Sequence, residues 1–192
     1  MTETLKNNIP AYILCGGRSL RMGQDKGLVT LQKGEFITHI ISTLKPITDS
    51  IVLITENEEY SRFGLPVIQD VYPEKGPLGG IHAALQHTEE SQILVFSCDI
   101  PLLKSYVIRE LIRFKNSADI VFAKTEKRWH PLIGIYPKGL LSEVEENLNQ
   151  NKLRLIDFIK EHKYKAVNFI DDAAFTNINT PEILARVEKN LV

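Results

Sequence analysis

Short apolar runs that alternate with stretches of helical spacing constrain this chain more than any other feature. Ala11–Leu14, Ile51–Thr55 and Ile93–Phe96 are nearly continuous apolar segments, as expected of strands covered on both faces. Between them Ile37, Ile40, Ile41 and Leu44 recur at helical spacing until Pro46 stops the pattern. A polar helix or loop follows Thr55 through Arg62, and Pro66–Ile68 reads as a short strand ending at Asp70. Gly76–Gly80 opens a helix over Ile81–His87, Ile93–Phe96 runs into Ser97-Cys98-Asp99, and Tyr106–Phe114 is helical with Ile108, Leu111 and Ile112 on one face. Strands alternating with helices in this way predict an α/β fold, a doubly wound, mostly parallel sheet with helices on both faces. Such sheets bind ligands beyond the carboxyl ends of the strands, where strand order reverses. That rule gathers the segment Leu14–Lys26, Thr55, Asp70, Gly76–Gly80 and Asp99 at one edge.

The second half is patterned differently. Asp119–Ala123 and Leu132–Tyr136 read as strands flanking a polar, hairpin-like segment, Lys124–His130. Helices are expected from Pro137 and Gly139 through Leu148, over Leu153–Lys160, and over Pro181–Lys189 with proline in the first turn; Ala166–Phe169 reads as a strand. With no linker or repeat, residues 1–192 are read as one domain, its nucleotide-binding half about 9–104 and its acceptor-binding half about 105–192.

The segment after the first strand, L-C-G-G-R-S-L-R-M-G-Q-D-K-G from Leu14 to Gly27, suits a polyphosphate. Gly16 and Gly17 allow sharp turning and close backbone approach, because no Cβ blocks either. Successive amide N–H groups in such a turn form an anion-binding concavity, and Arg18, Arg21 and Lys26 add positive charge, though the three need not all face a ligand. Generic phosphate loops do not fit. Gly17 and Gly23 bracket five residues and Lys26 follows three later, whereas a Walker A loop needs lysine directly after its second glycine. The dinucleotide fingerprint G-x-G-x-x-G is also absent.

The stretch GGRSLRMGQDK instead resembles the signature loop of the nucleotidyltransferase superfamily, in the branch of the molybdenum cofactor guanylyltransferases (the MobA family), marked by paired glycines and an Asp-Lys dipeptide. GPLGGIHAAL and NINTPEIL resemble that family's G-P-L-x-G-x-x-x-A/S-L and N-x-N-T-P-E-E-L stretches. Cys15 stands where the family commonly shows alanine, and Thr55 where it often places asparagine. The resemblance implies a Rossmann-like, doubly wound fold of the nucleotide-diphospho-sugar transferase type. It also implies transfer of GMP from GTP to the terminal phosphate of molybdopterin, with release of pyrophosphate and with Mg²⁺ as cofactor.

Site residues follow by position. Lys26, Arg18 and Asp99 are expected to be catalytic, with Asp99 the metal ligand, since Mg²⁺ takes one or two carboxylates and fills its shell with water and phosphate oxygens. Leu14, Cys15, Gly16, Gly17, Lys26, Thr55, Asp70, Gly76, Gly79 and Asp99 are expected to line the nucleotide. Asp70 is suited to the paired N–H donors of guanine. His130, Arg154, Asn177 and Asn179 are expected on the acceptor side, the two asparagines facing one way on extended chain. Trp129 offers a stacking face or a buried ring, and Thr180 a helix cap.

With 24 acidic against 23 basic side chains the net charge is −1, which speaks against nucleic acid or an anionic membrane surface as the main partner. No apolar run approaches a membrane span, and the stretch from Met1 lacks the apolar core of a signal peptide, so a cytoplasmic location is expected. The expected partners are GTP and molybdopterin, with transient contact to molybdenum-insertion or molybdoenzyme partners. The two cysteines, Cys15 and Cys98, form no zinc pattern and read as small buried residues whose thiols approach if their strands are neighbours. Two other readings remain: a related enzyme using CTP, and a GTP-binding regulator without transfer chemistry. The lack of a Walker A loop and of an N-K-x-D motif speaks against the regulator.

Overall fold

The structure is a computed structural model and describes residues 8–15 and 25–191. β1 (Ala11–Leu14) is the strand from which the sheet grows in both directions. A small antiparallel hairpin, β2 (Thr30–Leu31) and β3 (Gly34–Glu35), leads into α1 (Phe36–Leu44), which crosses to β4 (Ile51–Ile54) and then β5 (Val67–Ile68). α2 (Pro77–His87) crosses back to β6 (Gln92–Ser97) on the other side of β1. After α3 (Ser105–Arg113) come β7 (Ile120–Lys124) and β8 (Trp129–Pro137), then α4 (Leu141–Asn149), α5 (Leu155–Lys160), β9 (Tyr164–Asn168) and α6 (Pro181–Leu191).

Among the described residues the main sheet has seven strands in the order β5-β4-β1-β6-β8-β7-β9. All neighbours pair in parallel except β8, which runs antiparallel to both β6 and β7. The mostly parallel α/β sheet expected from the alternation is therefore present, with one reversed strand. Order reverses at β1, flanked by β4 and β6, so the switch-point crevice lies beyond Leu14 and its register partner Ser97.

Alternate strand residues face opposite layers. Ala11, Ile13, Leu94 and Phe96 pack with Ile37 and Ile40 of α1 and Ile108 and Leu111 of α3. Tyr12, Ile93 and Val95 pack with Ile81 of α2, Val144 of α4 and Phe158 of α5. A third, smaller cluster joins the β2–β3 hairpin and the start of α1 to the segment around α6: Ile178 and Val187 pack on Val29, Leu31 and Phe36. No helix among the described residues is long and apolar enough to cross a membrane.

Several boundaries differ from the sequence reading. α2 starts at Pro77 rather than Ile81, since proline at the first helical position loses no N–H bond and Gly79 and Gly80 are needed inside the first turns for packing. The hairpin expected over Lys124–His130 is present but tighter: β8 already begins at Trp129, and His130 lies opposite Ala123, past a register shift between Phe122 and Ala123. β9 begins at Tyr164, two residues before the expected start at Ala166.

Candidate functional site

The strand ends expected to converge do so. Beyond β1, Cys15 N–H donates to the Ile54 carbonyl at 2.9 Å, and Cys98 N–H donates to the Leu14 carbonyl at 3.2 Å, so the ladder continues one residue past the strands into the buried core. Both cysteines are buried, and burial followed by the adjoining Cys98 thiol pushes the Cys15 thiol up, leaving it a neutral packing residue. Gly16, Gly17, Arg18 and Arg21, assigned above to the phosphate loop, lie outside the described residues.

Lys26 opens a single 3₁₀ turn whose cap is Asp25. The Asp25 carboxylate accepts from Gly27 N–H at 3.1 Å, from Tyr60 O–H at 2.5 Å and from Asn57 Nδ2 at 3.2 Å. A Cβ on Gly27 would sit 2.2 Å from the Tyr60 hydroxyl, so only glycine lets the turn close on that ring. Asp25, Asn57 and Tyr60 escaped the sequence reading because they lie in separate segments, 32 and 35 residues apart, with no local signature of contact.

From this turn Lys26 Nζ donates to Asn179 Oδ1 at 2.7 Å and lies 3.8 Å from Asp99 Oδ2. Asp99 is 8% exposed. It accepts from Ser97 Oγ at 2.7 Å and from Asn177 Nδ2 at 3.1 Å, and its carbonyl accepts Ile178 N–H at 2.8 Å. Asn177 and Asn179 thus face one side, as extended backbone requires, with Ile178 turned the other way into the third apolar cluster. Thr180 caps α6, its hydroxyl accepting Ile183 N–H at 3.4 Å. The amides meet Lys26 and Asp99 from the first half of the chain, a pairing that sequence spacing did not reveal.

On the β5 side, Asp70 accepts Tyr72 N–H at 2.8 Å, and its carboxylate lies so close to α2 that a Cβ on Gly79 would stand 2.5 Å from Oδ2. Burial raises the Asp70 pKa. A Cβ on Gly80 would meet Leu14 Cγ at 2.8 Å. Gly79 and Gly80 thus have packing reasons, against Asp70 and Leu14, that the reading of them as bare backbone beside a nucleotide did not include. Gly76 has φ of +66° with open space about it and starts the helix. Thr55 is buried and spends its hydroxyl on Asn57 N–H at 3.1 Å.

Two clefts meet at Asn177. One, about 230 Å³, is lined by Pro77, Ser97, Asp99, Trp129, Leu155 and Asn177. The other, about 470 Å³, is lined on its basic side by Lys127, Arg128 and Arg186. His130 borders both; its ring lies 4.8 Å from Phe175, and burial, then Arg128, lowers its pKa to about 4. Trp129 packs on Phe122 at 5.0 Å and Tyr164 at 5.2 Å, as the packed-ring reading expects, and also borders the smaller cleft. Arg154 is not gathered into the cluster: its side chain is largely exposed and pairs with Asp157 at 3.2 Å, while its neighbour Leu155 reaches the cleft. Among the described residues no three His, Cys, Asp or Glu side chains group as metal ligands.

The model of the MobA-like NTP transferase domain matches residues 11–166. The chain is 39% identical over 186 residues, 95% of its length and 98% of the relative's, to a probable molybdenum cofactor guanylyltransferase of Flavobacterium johnsoniae. The crystal structure of molybdopterin-guanine dinucleotide biosynthesis protein A from Archaeoglobus fulgidus superposes with a TM-score of 0.80 at 25% identity, covering 95% of this chain and 98% of that one. The fold alone is shared with CMP:2-keto-3-deoxy-manno-octonic acid synthetase, solved with CTP, at a TM-score of 0.75 and 12% identity over 96% of this chain and 98% of that one. On a match spanning most of its length, the chain belongs to the MobA-like NTP transferase family.

Proposed function

We propose that this protein transfers GMP from GTP to the terminal phosphate of molybdopterin, yielding the guanine dinucleotide and pyrophosphate. The observation that carries this reading is the meeting of Lys26 and Asp99, at the switch point, with Asn177 and Asn179 from the end of the chain. In the reaction an acceptor phosphate oxygen forms a bond to the α-phosphorus of GTP. The bond from that phosphorus to the bridging oxygen breaks, and pyrophosphate leaves with the electron pair. A phosphate monoester is largely ionised near neutrality, its second pKa being about 6, so the nucleophile needs no general base. His130, with its pKa near 4, is neutral there and supplies a packed wall rather than a proton acceptor.

The remaining problem is electrostatic, since two anions must approach each other. Lys26 is placed to offset charge on the nucleotide phosphates and on the leaving group. Asp99 fits Mg²⁺: its carboxylate is a single hard-oxygen ligand at the crevice, and that ion keeps several waters and takes phosphate oxygens for the rest of its shell. When bound there it would offset the charge of the phosphates and of departing pyrophosphate. Arg18 and the paired glycines complete the nucleotide side of the proposal, with Leu14, Cys15, Thr55, Gly76 and Gly79 as the nucleotide's walls. Asp70 is assigned the guanine edge, where a carboxylate accepts from paired N–H donors.

Asn177 and Asn179 align the two halves. An amide has further hydrogen-bonding capacity for a pterin beyond the bonds it makes to Asp99 and Lys26. His130 and Arg154 are assigned to the acceptor, Arg154 as a contact on the solvent side. Cytoplasmic action and hand-over to molybdenum-insertion or molybdoenzyme partners belong to the same proposal. Pyrophosphate release with Mg²⁺ and molybdopterin, compared among GTP, CTP and ATP, tests it. Release with GTP alone is expected; release with CTP alone would keep the chemistry and overturn the base.

A further inference from the structure

The hydrogen bonds that end on Asp99 begin at a residue the reaction scheme above does not use. Arg128 lies between β7 and β8, and its Nη2 donates at 3.1 Å to the Phe175 carbonyl and at 3.1 Å to Asn177 Oδ1. Asn177 Nδ2 donates in turn to Asp99 Oδ2 at 3.1 Å, while Ser97 Oγ holds Oδ1 at 2.7 Å. The order of these groups fixes their direction. A guanidinium only donates and a carboxylate only accepts, so an amide between them satisfies both in one orientation. Rotated by half a turn, it would set its NH₂ against the guanidinium and its oxygen against the carboxylate.

We propose that Arg128 is a positioning residue for the transfer reaction, fixing the Asn177 amide so that its NH₂ holds Asp99 in place. The proposal rests on the guanylyl-transfer reading. Arg128 has the right chemistry for it: the two N–H bonds of one planar nitrogen reach the Phe175 carbonyl and the Asn177 oxygen together, and the fork is organised before either bond forms. Without it, the Asn177 oxygen loses its donor and the amide is free to turn, taking an N–H away from the carboxylate. The effect belongs to Asp99, on the nucleotide side, although Arg128 itself borders the acceptor-side clefts. Sequence inspection had no means of finding it, because Arg128 and Asn177 are 49 residues apart.

A double-mutant cycle separates this role from simple support of the hairpin. Arg128→Ala is expected to lower kcat at least about tenfold, the lower end for one hydrogen bond to a charged group, with a smaller rise in acceptor KM because Asn177 is also assigned a contact to the pterin. Arg128→Lys should recover part of the loss. In the Asn177→Ala background, Arg128→Ala should cost less than about twofold, since residues acting through one another are not additive. Losses that multiply, or a loss confined to acceptor KM, would overturn the proposal. A second readout needs no turnover. The Asn177 side-chain NH₂ signals in a ¹⁵N-labelled protein, assigned by their loss in Asn177→Asp, should be widely split in the wild type and collapse towards solvent-exposed values in Arg128→Ala. An unchanged pair would refute the positioning role. Should wild type release no pyrophosphate from GTP and acceptor, the functional reading fails while the NMR comparison still decides on Arg128.

Discussion

Replacing Gly27 with alanine is the most direct test of how Lys26 is held. The added Cβ would stand 2.2 Å from the Tyr60 hydroxyl, with the ring carbons Cζ and Cε1 at 3.1 and 3.3 Å. Tyr60 is fully buried, and burial holds its hydroxyl far above the ordinary range, so it remains a donor to Asp25 at 2.5 Å. The ring has no room to retreat, so the 3₁₀ turn must move. Overpacking of this kind costs about 1–3 kcal/mol, and loss of a hydrogen bond to a charged group adds about 1.5–3 kcal/mol. A total of about 2.5–6 kcal/mol lowers Tm by about 5–24 °C at this chain length, at about 2–4 °C per kcal/mol. Because Lys26 is the first residue of the turn, a shift of about 1 Å would also lower kcat/KM by about a hundredfold. Tyr60→Phe removes the obstructing oxygen, leaving ring contacts that need only a few tenths of an ångström. Gly27→Ala combined with Tyr60→Phe should therefore be less destabilised than the sum of the two single variants, as read by calorimetry. Strict additivity, or a Gly27→Ala protein with wild-type Tm, would refute the steric account.

Lys26→Ala should lower kcat about 10²–10³-fold, by analogy with removing one oxyanion donor, and a loss below about tenfold in steady-state pyrophosphate release would remove it from the catalytic set. Asp70→Asn should change the preference for GTP over ATP, read by competing the two nucleotides; an unchanged ratio refutes the base-reading role. Because burial raises the Asp70 pKa, the protonated form is favoured in the folded protein, and the stability this contributes in acid is lost as pH rises through the folded-state pKa. Asp70→Asn should accordingly raise Tm at neutral pH, with the gain shrinking in acid. The pKa of His130 is lowered from 6.5 to about 4, so between these values the unfolded chain binds a proton that the folded one does not. Stability should fall as pH drops through that window, and His130→Gln should flatten the fall in Tm measured across it.

The first half of the chain was legible because its strands are short, apolar and parallel, and each ends in a residue with chemistry. Leu14, Asp70, Gly76 and Asp99 could be placed at one edge because they follow the carboxyl ends of parallel strands, and β5, β4, β1 and β6 are adjacent as that placement requires. His130 was assigned to the turn rather than to β8, which reaches it past a register shift between Phe122 and Ala123. The supports of the site were invisible for another reason. Asp25 with Tyr60, Arg128 with Asn177, and Lys26 with Asn179 are polar pairs brought together only by tertiary packing, and no local pattern announces the partner. The glycines of α2 were singled out, but their packing against Asp70 and Leu14 became evident only once a side chain could be placed on each.

Ile178 gives this arrangement an order in time. Fully buried against Val29, Leu31, Phe36 and Val187, it brings Asn179 to Lys26 across 153 residues of chain. Contacts of such long span are slow to form, because chain entropy must be given up before they are made. During synthesis β1, β4, β5 and β6 can pair before the last segment exists, yet Lys26 and Asp99 receive their amide partners only when α6 docks. Refolding should therefore restore the sheet, read by far-UV circular dichroism, before it restores pyrophosphate release. Coincident recovery would show that the final segment is not the last to arrive. A chain built in this order has its sheet early and the amide partners of Lys26 and Asp99 last.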